Sequence, residues 1–178
     1  GDPEVIFKEV TDNIAKAIEL NENDFECHRM LSAVHLSRHE YKLAEEHGRK
    51  SYDMNPNDPR VLAGYGEILV RNGSVEHGLE LLNKALELDP IPQGQINSDN
   101  RFTDLLLGYF FLGDFEKCIE VASKIEHETF KSWIIKNYSK KQLNILEDGD
   151  SSVLQGLAEH HVNDWPAKID RLHLPNEK

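Results

Sequence analysis

The fold of this chain is decided by residues 25–92, which divide into two segments of 34 residues each. The first reads FECHRMLSAVHLSRHEYKLAEEHGRKSYDMNPND (25–58), and the second reads PRVLAGYGEILVRNGSVEHGLELLNKALELDPIP (59–92). Residues of the same class recur at this offset, in the pairs Ser32 and Gly66, Ala44 and Gly78, Ser51 and Ala85, and Pro56 and Pro90. Self-similarity at one fixed period is the sequence signature of a repeat architecture, so the segment predicts tandem copies of one structural unit.

The period and the small residues resemble the tetratricopeptide repeat (TPR), in which each unit is a helix–turn–helix of helices A and B. Small side chains at the eighth, twentieth and twenty-seventh places of a unit let neighbouring helix axes approach to about 8–10 Å. Pro56 and Pro90 lack an amide hydrogen, so we expect each to close a helix B. The aromatic pattern departs from the family, because His28 and Leu62 stand where a TPR usually has Trp.

The flanking sequence predicts more helices of the same kind. Ala17 takes the small place of an upstream helix B, and Cys118 takes that of a later one, whereas Leu106 replaces the small residue expected on the later helix A. The resemblance implies an all-α fold, a TPR-type α-solenoid of about eight antiparallel helices in pairs that form a right-handed superhelix. We predict one TPR-like domain over 1–178, comprising helix B of a truncated repeat (1–24), two repeats (25–58 and 59–92), an insertion (93–98), a degenerate repeat (99–129), and C-terminal helices with a cap (130–178).

Composition limits the classes of partner. The 178 residues include 32 acidic and 20 basic side chains, for a formal net charge of −12, so we expect no binding to nucleic acid phosphates. No apolar run approaches the ~20 residues that cross a bilayer, and we expect no membrane insertion. The N-terminus lacks the features of a secretory signal, and the two cysteines, Cys27 and Cys118, read as buried thiols of a reducing compartment. These features predict a cytoplasmic protein.

The nine histidines raise the question of a metal site. His35 and His39 are four residues apart, His28 lies one helical face earlier, and Cys27 and Glu40 are near in sequence. The repeat explains the same positions, because His35 takes a core aromatic place and His39 falls at the turn between helices A and B. No nucleophile elbow, phosphate loop, dinucleotide fingerprint or zinc-protease motif is present. We expect no catalytic, cofactor-binding or metal-binding residue, with a metal-binding or enzymatic solenoid as an alternative.

The TPR resemblance implies a binding function, because the outward side chains of the A helices line a concave face that contacts a peptide or protein. The family's positions correspond here to Glu26, Arg29, Ala33, Leu36 and Ser37, then Arg60, Ala63, Glu67, Val70 and Arg71, then Asn100, Thr103, Leu107 and Phe110. The partner contacts that we predict are Arg29, Arg60, Glu67, Arg71 and Phe110. The family's carboxylate clamp for chaperone C-termini is incomplete, because Ala33 rather than Asn follows Arg29, and chaperone binding is disfavoured.

Residues 27–90 also resemble the C-terminal repeat region of bacterial class III adenylate/guanylate cyclases. The shared features are a helix A that bears histidine, the turn NPND (55–58), the insertion IPQGQ (91–95) and the close LHLP (172–175). This resemblance implies an accessory or regulatory region of a larger bacterial signalling protein, and a first residue Gly1 in place of Met fits an excised piece. The alternatives are a structural spacer or a self-association scaffold, including a homodimer. Occupation of the groove by the chain's own C-terminal segment also stays open.

Overall fold

The computed structural model describes residues 2–90 and 99–145, which contain eight α-helices and no strand. The helices are α1 (Pro3–Leu20), α2 (Phe25–Ser37), α3 (Tyr41–Met54), α4 (Pro59–Arg71), α5 (Val75–Leu88), α6 (Asp99–Leu112), α7 (Phe115–Ala122) and α8 (Phe130–Gln142). The chain divides into two compact units, Gly1–Gln93 (unit one) and Gly94–Lys178 (unit two). The expected all-α class is therefore confirmed. Among the described helices, none has the length and apolar character needed to cross a membrane.

Unit one consists of α1 followed by two antiparallel hairpins, α2–α3 and α4–α5. Each hairpin begins with the same cap, 34 residues apart: Asp24 Oδ1 accepts the Glu26 amide at 2.9 Å, and Asp58 Oδ1 accepts the Arg60 amide at 2.8 Å. A carboxylate at this place satisfies an amide that the helix leaves unpaired and interacts favourably with the helix dipole. Pro59 follows Asp58 as the first residue of α4, where its missing amide hydrogen costs nothing.

The turn from each helix A to its helix B contains a residue with positive φ. In the described part of the chain these residues are His39 (61°), Gly73 (91°), Gly113 (72°) and Asn144 (56°), directly after α2, α4, α6 and α8. His39 and Gly73 are one repeat apart, whereas the next spacings are longer by the insertion and shorter by the reduced length of α7. The shared backbone conformation shows that α8 ends in the same way as the A helices before it.

Close helix contact in the second hairpin depends on two glycines. A Cβ on Gly66 of α4 would lie 2.9 Å from the Gly78 carbonyl oxygen, and a Cβ on Gly78 of α5 would lie 2.7 Å from the Gly66 carbonyl oxygen. Cβ atoms do not approach backbone this closely, so no larger residue fits at either place without a shift of the helices. The core of this hairpin includes Leu62, Tyr65 and Leu81, all buried.

The other residues assigned to repeat packing occupy three kinds of environment. Ser32, Ala44, Ser51, Ala85 and Cys118 are buried; Ala17 is half-buried beside Ile14 and Leu31; and Pro56 and Pro90 are exposed directly after the helix caps Asn55 and Asp89. Ser51 Oγ donates to the Phe25 carbonyl oxygen at 2.9 Å, which ties the end of α3 to the start of α2.

Unit two contains α6, α7 and α8, which pack on one another. Leu106 is fully buried at the place that Ser32 and Gly66 fill in unit one, and Cys118 Sγ donates to its carbonyl oxygen at 3.7 Å. The helix α7 has 8 residues against 14 in α3 and α5. The insertion and the helices expected after residue 145 lie outside the described residues.

The chain beyond α7 folds back on the start of α6. The buried carboxylate of Asp99 accepts the amides of Glu126 at 2.9 Å and His127 at 2.8 Å. These hydrogen bonds, the first of them above all, hold the pKa of Asp99 below its usual value. A six-residue shortening of α7 therefore leaves a loop whose backbone donors are satisfied by one side chain of α6.

Candidate partner-binding groove

The two A helices of unit one, α2 and α4, lie side by side and form a groove, which we call the α2–α4 groove. A pocket of about 330 Å³ opens at its C-terminal end. Its lining residues are Ala33, Leu36 and Ser37 of α2, His39 and Tyr41 of the turn, and Glu67 and Arg71 of α4. The structure thus brings Glu67 and Arg71, two of the predicted partner contacts, into one pocket.

The polar wall of the pocket is held in place by two local pairs. Glu67 Oε1 accepts hydrogen bonds from Arg71 Nε at 2.9 Å and from its terminal nitrogen at 2.8 Å, with side chains 26% and 18% exposed. The His39 Nδ1 and Tyr41 Oη atoms are 2.8 Å apart and share a hydrogen bond. Burial raises the pKa of Tyr41, so its hydroxyl stays protonated at neutral pH and can both donate and accept. The wall is rigid and offers both polarities.

A cluster of four charges marks the other end of the groove. Arg29 binds Glu26 through two hydrogen bonds of 3.0 and 2.6 Å, and an Arg60 guanidinium nitrogen lies 3.5 Å from the same carboxylate. Arg60 also contacts Asp58 at 2.8 Å. The hydrogen bond from Arg29 lowers the pKa of Glu26, and that from Arg60 lowers the pKa of Asp58. The predicted contacts Arg29 and Arg60 therefore meet around one carboxylate.

Between the two ends, the groove is lined by small or apolar residues. Met30 of α2 is 42% exposed, and Ala33 is exposed one turn later. Ala63 and Gly64 are half-buried on α4, and a Cβ on Gly64 would meet nothing within 4 Å. Packing does not require glycine at position 64, in contrast to Gly66, so its small size leaves open space above the groove.

Two positions that the family pattern assigned to the groove are wrong. Val70 and Leu107 are each only 1% exposed and cannot contact a partner. Val70 is turned into the α4–α5 interface, where its atoms lie 2.8 Å from a Cβ built on Gly78. Of the remaining positions in unit two, Asn100 is exposed, and Thr103 is half-buried with its hydroxyl bonded to the Asp99 carbonyl at 2.8 Å.

Phe110, the predicted contact in unit two, lies in an aromatic cluster. Its ring centroid is 5.5 Å from that of Tyr138 on α8 and 6.4 Å from that of Phe115 on α7, both in edge-to-face geometry. Phe110 and Phe115 hold the same places around the turn as Leu36 and Tyr41 do in unit one. Aromatic rings therefore occupy in unit two the positions that line the pocket in unit one.

The histidines are arranged differently from the metal group considered above. His28 Nδ1 lies 2.9 Å from His47 Nδ1 on α3, and His35 Nδ1 lies 2.6 Å from Glu40 Oε2. His39 stands apart at the turn. Within residues 2–90 and 99–145, no three His, Cys, Asp or Glu side chains are placed to hold a metal ion. Burial is the main cause that lowers the pKa of both His28 and His47.

Sequence reasoning missed two lining residues and one partner of the histidines. Tyr41 could have been found from the repeat, because it holds the place of Val75 and Phe115 two residues after each positive-φ turn. His39 was placed at the turn but not in the pocket. His47 lies on the opposite helix from His28, and no spacing within one helix reveals which side chains meet across a hairpin.

No protein-family model matches the chain, and no curated protein matches it in sequence. Solved structures do share its fold. MamA has a TM-score of 0.66 at 13% identity, over 90% of this chain and 91% of that chain. YrrB, a TPR protein with an unusual peptide-binding site, has a TM-score of 0.63 at 13% identity, over 86% and 77%. PilF of Pseudomonas aeruginosa has a TM-score of 0.58 at 18% identity, over 93% and 91%. The chain therefore has the helical-repeat fold of TPR proteins.

Proposed function

We propose that this chain is a non-catalytic protein-interaction module that binds a peptide or protein segment in the α2–α4 groove. The observation that carries this proposal is the pocket of about 330 Å³, whose walls come from two consecutive A helices and the turn between α2 and α3. The likeness to YrrB, which has a peptide-binding site, supports it as an analogy of fold.

The pocket lining indicates how a partner would be held. Leu36 and Ala33 offer an apolar surface to one partner side chain, while Tyr41 Oη and the Glu67 carboxylate can accept hydrogen bonds from the partner's backbone. The ion pair between Glu67 and Arg71 is already formed, so little side-chain entropy is lost when a partner docks against it. The open space above Gly64 lets the partner's backbone approach the groove closely.

The chain serves, on this proposal, as an accessory or regulatory region of a larger bacterial signalling protein such as an adenylate/guanylate cyclase in the cytoplasm. The resemblance of residues 27–90 to the repeat region of those cyclases supports this setting. The net charge of −12 supports a protein rather than a nucleic acid as partner. A spacer or self-association scaffold, including a homodimer, is the alternative that the following experiment separates from peptide binding.

The test begins with selection of binding peptides from a random peptide library displayed against the full chain. The dissociation constant of a selected peptide is then measured for the wild type and for the double variant Arg60→Glu with Arg71→Glu. Loss of two groove charges that act in fixed pairs is expected to weaken binding at least ~10-fold, or ~1.4 kcal/mol. Helix content by circular dichroism is expected to stay unchanged.

The matched control is the double variant Lys42→Glu with Arg49→Glu, which reverses two exposed charges on α3 outside the pocket lining. The control is expected to bind within about twofold of the wild type. Equal weakening by both double variants, or selected peptides that ignore both, would refute the groove as the binding site. A chain that selects no peptide but sediments as a dimer would favour the scaffold.

A further inference from the structure

Three histidine rings of the α2–α3 hairpin form one stack. His47 of α3 lies between the two α2 residues, with ring centroids 5.2 Å from His28 and 5.6 Å from His35 and interplanar angles of 22° and 6°. His28 is 6% exposed, and His47 is half-buried. The stack extends across two turns of α2, so it forms a large part of the interface that joins the two helices.

The contact between His28 and His47 accommodates a single proton. Their Nδ1 atoms are 2.9 Å apart, so one nitrogen must carry hydrogen and donate while the other must accept through its lone pair. When both rings are protonated, both Nδ1 atoms carry hydrogen and neither can accept. Two adjacent positive charges in a buried interface then repel each other, and the two helices have to separate.

The groups that face this pair come from several elements: Lys50 and Glu46 from α3, Asp24 from the cap of α2, the backbone carbonyl of Glu22 from the α1–α2 loop, and His35 from α2. The α1 face against α2 is apolar, with Val10 and Ile14, and α4 presents Tyr65 and Ile68 to α3. Burial outweighs the nearby carboxylates, so the folded protein binds protons at His28 and His47 more weakly than the unfolded chain does.

The same hairpin builds most of the pocket. Ala33, Leu36 and Ser37 lie at the end of α2, and His39 and Tyr41 lie at the turn and the start of α3. The 2.6 Å contact of His35 with Glu40 spans this turn. A separation of α2 from α3 therefore displaces five of the seven lining residues relative to one another.

We propose that the α2–α4 groove is regulated by pH: protonation of both His28 and His47 opens the α2–α3 hairpin, dismantles the pocket and releases the bound segment. The opening depends on the chain alone, whereas the release rests on the proposed function. Because both pKa values are lowered on folding, the hairpin is most stable above the usual histidine value of 6.5 and loses stability as the pH falls below it.

Hydrogen exchange of the full chain tests the opening without any ligand. Peptide fragments that cover α2 and α3 are followed at pH 7.5 and pH 5.5, with intrinsic exchange rates corrected for pH. Protection in these helices is expected to fall at least ~10-fold at pH 5.5, as the uptake of protons by a pair of lowered pKa requires. Fragments that cover α6 and α7 serve as the internal reference and are expected to change less than about threefold.

The decisive variant is His28→Asn with His47→Asn, because amide side chains keep a donor and an acceptor near the Nδ1 positions but do not titrate. Its α2–α3 protection is expected to be independent of pH within about threefold. If the double variant is unfolded at pH 7.5, His47→Asn alone replaces it, since one neutral partner suffices to remove the double charge. The control is His77→Asn, an exposed histidine of α5, which is expected to respond as the wild type does.

An equal response to pH in the wild type and the asparagine variant would overturn the proposal. Protection in α2 and α3 that does not fall between pH 7.5 and 5.5 would overturn it as well. Affinity for a selected peptide is then measured at both pH values. A hairpin that opens while no peptide binds at pH 7.5 contradicts the proposed function and leaves the opening itself established.

Discussion

Gly66 of α4 and Gly78 of α5 meet backbone to backbone, each within 2.9 Å of the place where a Cβ of the other would contact a carbonyl oxygen. The two residues stand at the eighth and twentieth places of the second repeat. The same places in the first repeat hold Ser32 and Ala44, which are 3% and 0% exposed. The second hairpin is thus packed more closely than any side chain would permit.

Substitution of Gly66 by Ala is expected to destabilise the chain by about 1–3 kcal/mol, because the new methyl group would overlap the Gly78 carbonyl and force the helices apart. Gly64→Ala is the matched control, two residues earlier on the same helix. Its Cβ would enter open space, so alanine is expected to stabilise the helix by about 0.5–1 kcal/mol. Urea unfolding followed by circular dichroism measures both changes. A Gly66→Ala variant as stable as Gly64→Ala would contradict the close contact.

The repeat period accounts for how much of this fold the sequence predicts. An offset of 34 residues places helices, turns and small residues of the two hairpins in unit one, because close helix contact restricts residue size at fixed places. Unit two departs from the period where α7 ends at Ala122. That ending depends on Asp99, which is distant in sequence from the loop that it binds at Glu126. A long-range contact of this kind leaves no periodic signal.

Removal of the Asp99 carboxylate is expected to destabilise unit two. Asp99→Ala leaves the amides of Glu126 and His127 without their acceptor, at a cost of about 1–3 kcal/mol. Asp99→Asn is expected to cost less, because its one oxygen can still accept. The control is Asn100→Ala at the exposed neighbouring position. Thermal unfolding at pH 7 compares the three variants, and an Asp99→Ala variant no less stable than Asn100→Ala would show that the loop is held by other contacts.

The thiol of Cys118 is expected to be unreactive in the folded chain. It is fully buried, and burial raises its pKa to about 11 from the usual 9.0, so at pH 8 it forms about a hundredfold less thiolate than a free cysteine. A Cys27→Ser variant isolates Cys118, and a chromogenic disulfide reagent measures its rate of modification with and without guanidinium. Labelling in the native state as fast as in the denatured state would contradict the packing of α7 on α6.

The groove was only partly predictable. The family pattern named Glu67 and Arg71, which line the pocket, because helix period alone fixes which residues of α4 face outward. It misplaced Val70, whose burial depends on the absence of a side chain at Gly78 on the next helix. It also could not reveal that Glu26 joins Arg29 and Arg60, because this contact crosses from one repeat to the next.

The most direct test of the binding site is a map of amide chemical shifts in the full chain as a selected library peptide is added. The largest changes are expected at the pocket residues Ala33, Leu36, Ser37, His39, Tyr41, Glu67 and Arg71. Leu36→Glu, which places a charge on the apolar wall, is expected to weaken the peptide at least ~10-fold. Changes concentrated instead around Phe110, Phe115 and Tyr138, with undiminished affinity for Leu36→Glu, would contradict the α2–α4 groove as the site of recognition.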